Sequence, residues 1–461
     1  MMGKKLDNQP QFIYVDLEEL IPADHLLRAI LRLIDFSFIY EKVQHLYSPV
    51  GRKSVDPVLL IKMLLLGYLY GIPSERKLEQ EVKLNLAYRW FLGLELSDDV
   101  PDHSTLSQNR RRRFRDNNVF QEIFDEVVLV CVKGGLVTGE VLVTDSTHIK
   151  AYASNQKLEK VRVTKTPSNY LRELEQEADK IERELNDKRD SAGKKKRGSS
   201  KKQPSVEPEE KEIIRSTTDP ECGMMNRPRK PSGFHYLSHT TVDTNCGIIT
   251  DIFVTPGNVN DNDPFIERLA LQKEKFGLNI QNVGADKGYD CSSIHHGLEQ
   301  LGIIGHIAII ERDGESETKE PEFSYDEKAD LFICPAGKPL TFSHIERNST
   351  GSKFRKIYGA STKDCKSCSF REVCVAKSKT RRLLKRPLHH AALERSRIRS
   401  NTNEYRVVQR LRRIWSEGTF GIMKQQHNLA KTYKRGIRNV LEQCLFSALA
   451  INIKRMVKAF G

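Results

Sequence analysis

Two aspartates, far apart in the sequence, stand where a divalent cation could be bound. Asp145 follows the apolar run 141–143 and Asp286 follows the run 280–283, so each lies at the end of a predicted strand. Strand ends are where ligand-binding groups collect in open α/β sheets. Two carboxylates brought together repel each other, and a divalent cation relieves that repulsion. The alternative is that each is a turn or helix-cap residue, a common role for aspartate.

A third acid, Glu417, lies on a predicted helix whose charged face is otherwise basic. At about 100° per residue, Arg413, Glu417 and Lys424 fall within a narrow arc. Arg406 and Arg410 project onto the same arc. One acid among cations suits a site where the carboxylate binds metal while the cations bind phosphates. An amphipathic surface helix with ordinary ion pairs is the alternative.

Four of the nine cysteines are clustered. Cys365 and Cys368 have the spacing of a zinc knuckle, Cys374 follows closely, and Cys334 could supply a fourth thiolate from a turn-like segment. A structural Zn²⁺ would order a segment that has little apolar content of its own. An iron–sulfur centre satisfies the same spacing, and four unliganded thiols are the remaining alternative.

The charge balance favours a polyanionic partner. The chain has 75 Lys and Arg against 61 Asp and Glu, a formal net charge of +14 over 461 residues. Phosphate contact is a common reason for such an excess. One arginine run concentrates this charge, and we expect these members to bind DNA: Arg110, Arg111, Arg112 and Arg113. A solvated helix face is the alternative.

No segment suggests a membrane partner. The longest apolar run, 58–70, is interrupted by Lys62 and is too short to span a bilayer. The lysines near the N-terminus have no apolar stretch behind them, as a signal peptide would. We therefore expect a cytoplasmic protein, whose cysteines are thiols or metal ligands.

The elements that must position these residues change in type along the chain. The first 125 residues have helical patterns, with Asp56-Pro57 starting one helix and Ser74 capping a second from 75 to 91. After Gly139, apolar runs at 141–143, 248–254, 280–283 and 303–310 predict strands, and 265–272 fits a helix. This alternation favours an α/β core. Helical character returns from residue 391.

Two segments interrupt that core. The first, 155–212, is very polar, and its Lys-rich stretch 194–202 predicts a mobile linker. Its apolar residues have coiled-coil or helical-hairpin spacing, which leaves open a dimer contact or intramolecular packing: Leu171, Leu174, Ala178, Ile181 and Leu185. The second interruption, about 311–386, holds the cysteine cluster and many turn residues.

Several separated motifs, in order, resemble bacterial insertion-sequence DDE transposases over nearly the whole chain. VDPVLLIKMLLLGYLYGIPSERKLEQEVKLNLAYRWFLGL and PDHSTLSQNRRRR resemble the N-terminal helical domain of that family. TDSTHIKA, FVTPGNVNDNDPF with GADKGYD, and SEGTFGIMKQQHNLAKTYKRG are similar to the three regions that carry its catalytic acids. Many relatives have Tyr where this chain has Arg410, so the role of that Tyr is not carried over.

The resemblance implies an α/β protein with an RNase H-like mixed sheet flanked by helices, preceded by an all-α N-terminal domain and interrupted by two insertions. The implied division is a helical DNA-binding domain at 1–125, catalytic core at 139–154 and 231–310, a charged helical and mobile insertion at 155–230, a cysteine-containing insertion at 311–390, and a C-terminal helical part of the core at 391–461. The sheet would bring Asp145, Asp286 and Glu417 together.

The resemblance also implies an activity. The protein would cleave DNA at transposon ends and join the 3′-OH to target DNA, using two Mg²⁺ ions held by the three acids, with Mn²⁺ able to substitute. Arg413 and Lys424 would bind phosphates near the cut. The partner would be double-stranded DNA, bound by a homodimer in the bacterial cytoplasm at the nucleoid. A nuclease without strand transfer and a non-catalytic DNA-binding relative are the alternatives.

Three further residues near the acids are weaker candidates. His148 follows Asp145 by three positions and could touch substrate, although a packed histidine is the usual case. Asn258 and Asp261 follow the strand at 248–254 and could contact the catalytic acids without binding the metal themselves.

Overall fold

The computed structural model describes residues 16–51, 53–114, 117–164, 169–191, 193, 210–226, 232–310, 322–347 and 354–460. The Lys-rich stretch 194–202 lies outside them. The chain divides into two compact units, one of Met1–Leu136, Gly421–Lys431 and Leu441–Gly461, the other of Val137–Phe420 and Thr432–Val440. Within the described ranges, no helix has the length and apolar character needed to cross a membrane.

Seventeen α-helices are formed by the described residues. They are α1 Leu17–Leu20, α2 Leu26–Leu33, α3 Phe38–Val43, α4 Pro57–Leu69, α5 Glu75–Leu84, α6 Leu86–Leu92, α7 His103–Asn109, α8 Val119–Lys133, α9 Asn169–Ser191, α10 Phe265–Phe276, α11 Ser292–Gln300, α12 Thr362–Lys366, α13 Arg371–Cys374, α14 His390–Arg399, α15 Asn403–Arg412, α16 Gly418–Gln426 and α17 Ile437–Phe460.

Thirteen strands accompany them in the described residues. They are β1 Val141–Lys150, β2 Leu158–Thr164, β3 Glu210–Ser216, β4 Gly223–Met225, β5 Gly233–Asp243, β6 Ile249–Pro256, β7 Asn282–Ala285, β8 Ile304–Ile307, β9 Ser324–Asp326, β10 Leu331–Ile333, β11 Pro339–Arg347, β12 Phe354–Gly359 and β13 Leu383–Pro387.

The first unit is helical, as its sequence predicts. Asp56 accepts hydrogen bonds from the two N–H groups that open α4, and Pro57 occupies the first helical position. The helix is apolar almost all round, so it lies in the middle of this unit. Its buried residues are Leu60, Ile61, Met63, Leu64, Leu65, Leu66, Gly67 and Leu69.

The single helix predicted for 75–91 is wrong, because the segment forms two helices. Ser74 caps α5 as expected, since its hydroxyl accepts a hydrogen bond from the N–H of Lys77. Asn85 then has an extended backbone, and its side-chain oxygen caps α6. Asparagine favours this outcome because its side chain competes with the helix for backbone groups.

The second unit is built on a mixed sheet in the order β6-β5-β1-β7-β8, with the short β4 also paired to β5. The β6-β5-β1 pairs are antiparallel and the β1-β7-β8 pairs are parallel. Helix α10 packs against β6, α11 against β8, and α15 against β1, β7 and β8. This order, with these directions, is the RNase H-like arrangement, which confirms the predicted fold class.

The first interruption holds the β2–β3 hairpin and the long helix α9. The N-terminal half of α9 is buried within this chain through Tyr170, Leu171, Leu174 and Ala178. The Tyr170 hydroxyl donates a 2.5 Å hydrogen bond to the carbonyl of Ser293 in α11. Intramolecular packing therefore explains the first half of the leucine series.

The second interruption folds as a separate antiparallel sheet in the order β13-β12-β11-β10-β9. Its small core contains Leu340, Tyr358 and two of the clustered cysteines, Cys365 and Cys374. Glu182 of α9 accepts hydrogen bonds from the N–H of Ile345 at 2.9 Å and from the Arg347 guanidinium at 3.0 Å. The two interruptions are thus joined to each other.

Candidate active site

Asp145 and Asp286 lie at equivalent positions on neighbouring parallel strands. Val143 of β1 pairs with Gly284 of β7, and each aspartate follows two residues later. Asp286 leaves the sheet at that point, because its carboxylate accepts a 2.8 Å hydrogen bond from the N–H of Gly288 and caps a short 3₁₀ turn. Strand register therefore places Asp145 beside the end of β7, where Asp286 is close enough to act on its pKa. The predicted strand end at Asp145 is wrong, because β1 continues to Lys150.

The surroundings of Asp145 disfavour its charge. Its side chain is only 16% exposed, and this burial, followed by the negative charges of Asp286 and Asp261, raises the pKa of Asp145 to about 6. The Ser146 N–H, at 2.7 Å, and Arg412 act in the opposite direction. A divalent cation would relieve the repulsion that the neighbouring acids create.

Asp261 is a fourth acid at this place. A Cβ atom built on Gly288 would stand 2.9 Å from Asp286 Oδ1 and 3.6 Å from Asp261 Oδ2, so both carboxylates face this glycine. Tyr289 is fully buried beside them, and burial together with Asp145, Asp261 and Asp286 raises the pKa of its hydroxyl. The sequence indicated Asp261 only weakly, because loop aspartates are common.

Arg412, which the sequence did not single out, lies near both Asp145 and Glu417. Arg412 Nη1 lies 3.2 Å from Asp145 Oδ2, and its Nη2 lies 3.9 Å from Glu417 Oε1. The Arg412 side chain is 12% exposed, whereas that of Glu417 is 64% exposed and open to a ligand. The structure thus gathers the three predicted acids and Asp261 into one region.

The helix that carries Glu417 is not regular, because Arg413–Glu417 form a π-helical turn whose hydrogen bonds span five residues. Arg412, five residues before Glu417, is the arginine whose guanidinium lies near both Asp145 and Glu417. The expected arc of Arg413, Glu417 and Lys424 assumed a regular α-helix, and the π-turn changes the angles between these residues. Arg413 and Arg410 are exposed, and Lys424 lies on α16, half-buried, in the other unit.

The weaker candidates have different positions. His148 lies on β1 with its ring 6.1 Å from that of His235, edge to face. Asn258 packs against β4, since a Cβ on Gly223 would be 2.4 Å from its Oδ1. Trp415 lies over Gly247 of the β5–β6 turn, where a Cβ would be 2.1 Å from its ring.

The four arginines of the basic run are not equivalent. Arg110 is buried and contacts Glu75 and Glu442 within the helical unit, which corrects its expected role as an exposed DNA contact. Arg111 and Arg112 are exposed. Arg113 is half-buried, with its guanidinium 4.3 Å from the centre of the Tyr47 ring.

The clustered cysteines converge on one small cavity. Cys334, Cys365, Cys368 and Cys374 all line it. Burial raises the pKa of Cys374, and the other three thiols act in the same direction. Cys334 Sγ accepts a hydrogen bond from the N–H of Lys338 at 3.3 Å, a contact that would stabilise a thiolate.

A mixed RNase H-like sheet with one acid within its central strand, a second just after the neighbouring strand and a third on a helix beside them defines a class of nucleic-acid-processing enzymes. Family models agree with this class: a transposase domain (DUF772) matches residues 15–112, and a transposase DDE domain matches residues 333–457. Both matched models are transposase domains, and together they support an insertion-sequence DDE transposase family for this chain. The second match contains Glu417, and neither match contains Asp145 or Asp286.

Solved structures of transposases are also similar in part. Two Mos1 transposase paired-end complexes, one with Mn, match at 9% and 11% identity over 56% of this chain and 60% of theirs, with TM-scores of 0.16. A piggyBac transposase synaptic complex with hairpin DNA matches at 11% identity over 95% of this chain and 80% of that one, with a TM-score of 0.25. Scores this low establish no common fold. No curated protein sequence matches the chain.

Proposed function

We propose that this protein cleaves DNA at transposon ends and joins the released 3′-OH to target DNA by two-metal phosphoryl transfer. The observation that carries this proposal is the gathering of Asp145, Asp286 and Glu417, through strand register and through Arg412. The matches to transposase domain models support the substrate class. The predicted domain boundaries, with a DNA-binding domain at 1–125, form part of the same proposal.

The donor atoms fit Mg²⁺, with Mn²⁺ as a substitute, because all of them are carboxylate oxygens. Asp145 would hold both ions, Asp286 one of them and Glu417 the other. When bound, the ions supply charge stabilisation for the attacking and leaving oxygens. The crowded acids of this chain favour cation binding, since the pKa of Asp145 is raised partly by its acidic neighbours.

We expect the Arg412 guanidinium to contact carboxylates in the free protein and a DNA phosphate in the metal-bound complex. Its guanidinium lies beside Asp145 and faces Glu417. With those carboxylates holding cations, the guanidinium would be available for a DNA phosphate. The exposed Arg410 and Arg413, with Lys424, would hold phosphates further along the DNA.

A strand-joining assay tests the proposal. A labelled DNA carrying the element's own end would be incubated with plasmid, Mg²⁺ and the full-length protein, which we expect to act as a homodimer. The proposal expects labelled plasmid products whose formation requires the metal. Ends that are cut but never joined would assign a nuclease instead, and bound but uncut ends a non-catalytic DNA-binding relative.

We also propose that the cysteine cavity holds one structural Zn²⁺. Cys334 follows β10, and the other three cysteines lie in or between the short helices α12 and α13, so two separate segments supply the thiols that line the cavity. Metal analysis of the purified protein and of a Cys365→Ser/Cys368→Ser variant tests this. The variant should lose about one zinc per chain, whereas iron in place of zinc, or equal zinc in both proteins, would contradict it.

A further inference from the structure

A second group of metal-ligating side chains uses none of the proposed catalytic acids and none of the cysteines. Glu177, His296 and His389 each offer one ligand atom, and these atoms all lie within 4.8 Å of one another. The three residues come from α9, from α11 and from the residue that precedes α14. Three distant parts of the sequence therefore meet here.

The contact between His389 and Glu177 is close but is not a hydrogen bond. Nε2 of His389 lies 3.3 Å from Oε2 of Glu177, yet that nitrogen has no hydrogen-bond partner among the described residues. The His389 side chain is 9% exposed and that of Glu177 is 42% exposed. A buried nitrogen without a partner is costly, and Glu177 leaves a path for an ion from solvent.

An ordinary histidine–glutamate ion pair does not account for this group. Nε2 of His389 makes no hydrogen bond to Glu177 or to any other described residue. A neutral imidazole has a lone pair at such a nitrogen, and this is the form that binds metals. The rings of His296 and His389 are stacked, with centroids 3.8 Å apart and planes within 2°.

We propose that Glu177, His296 and His389 bind a Zn²⁺ ion, with water as the fourth ligand. Two imidazole nitrogens and one carboxylate oxygen form a common zinc donor set, whereas nitrogen ligands disfavour Mg²⁺. The lone pairs of stacked rings lie in parallel planes, here with ring centroids 3.8 Å apart. Coordination therefore tilts the rings apart until both nitrogens point at the ion.

The ion would tie the first interruption to the catalytic core. Helix α9 contributes Glu177, and it is already held at Arg347 by Asp179 and Glu182. Helix α11 follows the segment that carries Asp286, and α14 precedes the helices that lead to Glu417. A bridge among α9, α11 and α14 would stabilise this part of the unit without taking part in the reaction.

Zinc binding to the full-length protein tests the inference, using thermal unfolding and metal content as readouts. Metal-stripped wild type should gain thermal stability with Zn²⁺. A His296→Ala/His389→Ala variant should gain less and should retain about one zinc fewer per chain. The test compares wild type with the double histidine variant, and both keep the four cysteines, so zinc bound at the cysteines contributes equally to both. The result is also independent of strand joining.

Two further variants complete the test. Glu177→Gln is nearly isosteric at a partly exposed position, and it should weaken zinc binding by more than the ~10–100-fold typical of losing a group behind a ligand. His45→Ala, exposed in the helical unit, is the control and should match wild type. Equal zinc content and equal thermal shifts in wild type, Glu177→Gln and the double variant would overturn the site.

Discussion

Arg412 is the cation beside the acidic site. Its guanidinium lies 3.2 Å from Asp145 and 3.9 Å from Glu417, and its side chain is nearly buried. Among the described residues, Arg412 is the only cation that forms an ion pair with Asp145. The neighbouring Arg413, which the sequence favoured, is exposed.

Arg412→Ala should reduce DNA cleavage at saturating Mg²⁺ on the order of 10²-fold, the usual effect of removing one group that stabilises transition-state charge. Arg406→Ala, exposed on the same helix, is the matched control and should change cleavage little. Single-turnover cleavage rates measure both. Equal rates for the two variants would assign Arg412 a structural role only.

Asp145→Asn should stabilise the metal-free protein at neutral pH. The pKa of Asp145 in the folded chain is about 6, above its ordinary value of 3.8, so between these values the folded state binds more protons than the unfolded state. Stability therefore falls as the pH rises through this window. We expect the variant to gain ~3 kcal/mol at pH 7.5, and to lose that advantage below about pH 4.

Denaturant unfolding with and without Mg²⁺ measures this effect. The metal should stabilise wild type more than Asp145→Asn, because only wild type offers the charged ligand. A variant that is less stable than wild type at pH 7.5 without metal would contradict the raised pKa.

At the scale of elements, the approach of α15 to the sheet brings Arg412 and Glu417 to the aspartates. Gly284 of β7 permits this approach, since a Cβ there would stand 2.8 Å from Val408 of α15 and 3.3 Å from Val143 of β1. The neighbouring helix must move if the glycine is replaced. The position of Glu417 therefore depends on Gly284, which has no functional side chain.

Gly284→Ala should destabilise the protein by about 1–3 kcal/mol through overpacking and should slow cleavage. Gly421→Ala is a control for which we expect a gain in stability. Among the described residues nothing lies within 4 Å of the position of its Cβ atom, so the added helix propensity should stabilise by up to about 1 kcal/mol. Denaturant unfolding measures both, and a neutral Gly284→Ala would show that α15 can shift without cost.

The elements also show why some of the site could be predicted and some could not. The strand before Asp286 and the first residues of β1 are short apolar runs, which the sequence displays directly, whereas the polar remainder of β1, 144–150, was not predicted as strand. Strand β5 is fully buried yet carries many polar residues, among them His239, whose ring contacts Thr255 at 2.9 Å. Because of this polar composition, β5 could not be recognised from the sequence as a buried central strand. The π-turn before Glu417 changes the helical repeat, which no residue spacing reveals.

At the scale of the whole molecule, the net charge of +14 predicts DNA binding that weakens steeply with salt. Arg111→Ala/Arg112→Ala should reduce the slope of log K against log salt by about 2 and leave stability unchanged. Arg110→Ala should instead destabilise by about 3–5 kcal/mol, because it removes a buried charge between two carboxylates. Binding titrations at several salt concentrations measure the slopes, and an unchanged slope for the double variant would exclude Arg111 and Arg112 from the interface.

The central claim is that Asp145, Asp286 and Glu417 form one metal-dependent catalytic site. Cleavage of a labelled transposon end by Asp286→Ala tests it most directly, because strand register brings this residue beside Asp145. We predict no detectable cleavage, normal end binding, and full cleavage by the matched control Glu404→Ala, an exposed acid on α15. Wild-type cleavage by Asp286→Ala in Mg²⁺ would contradict the account.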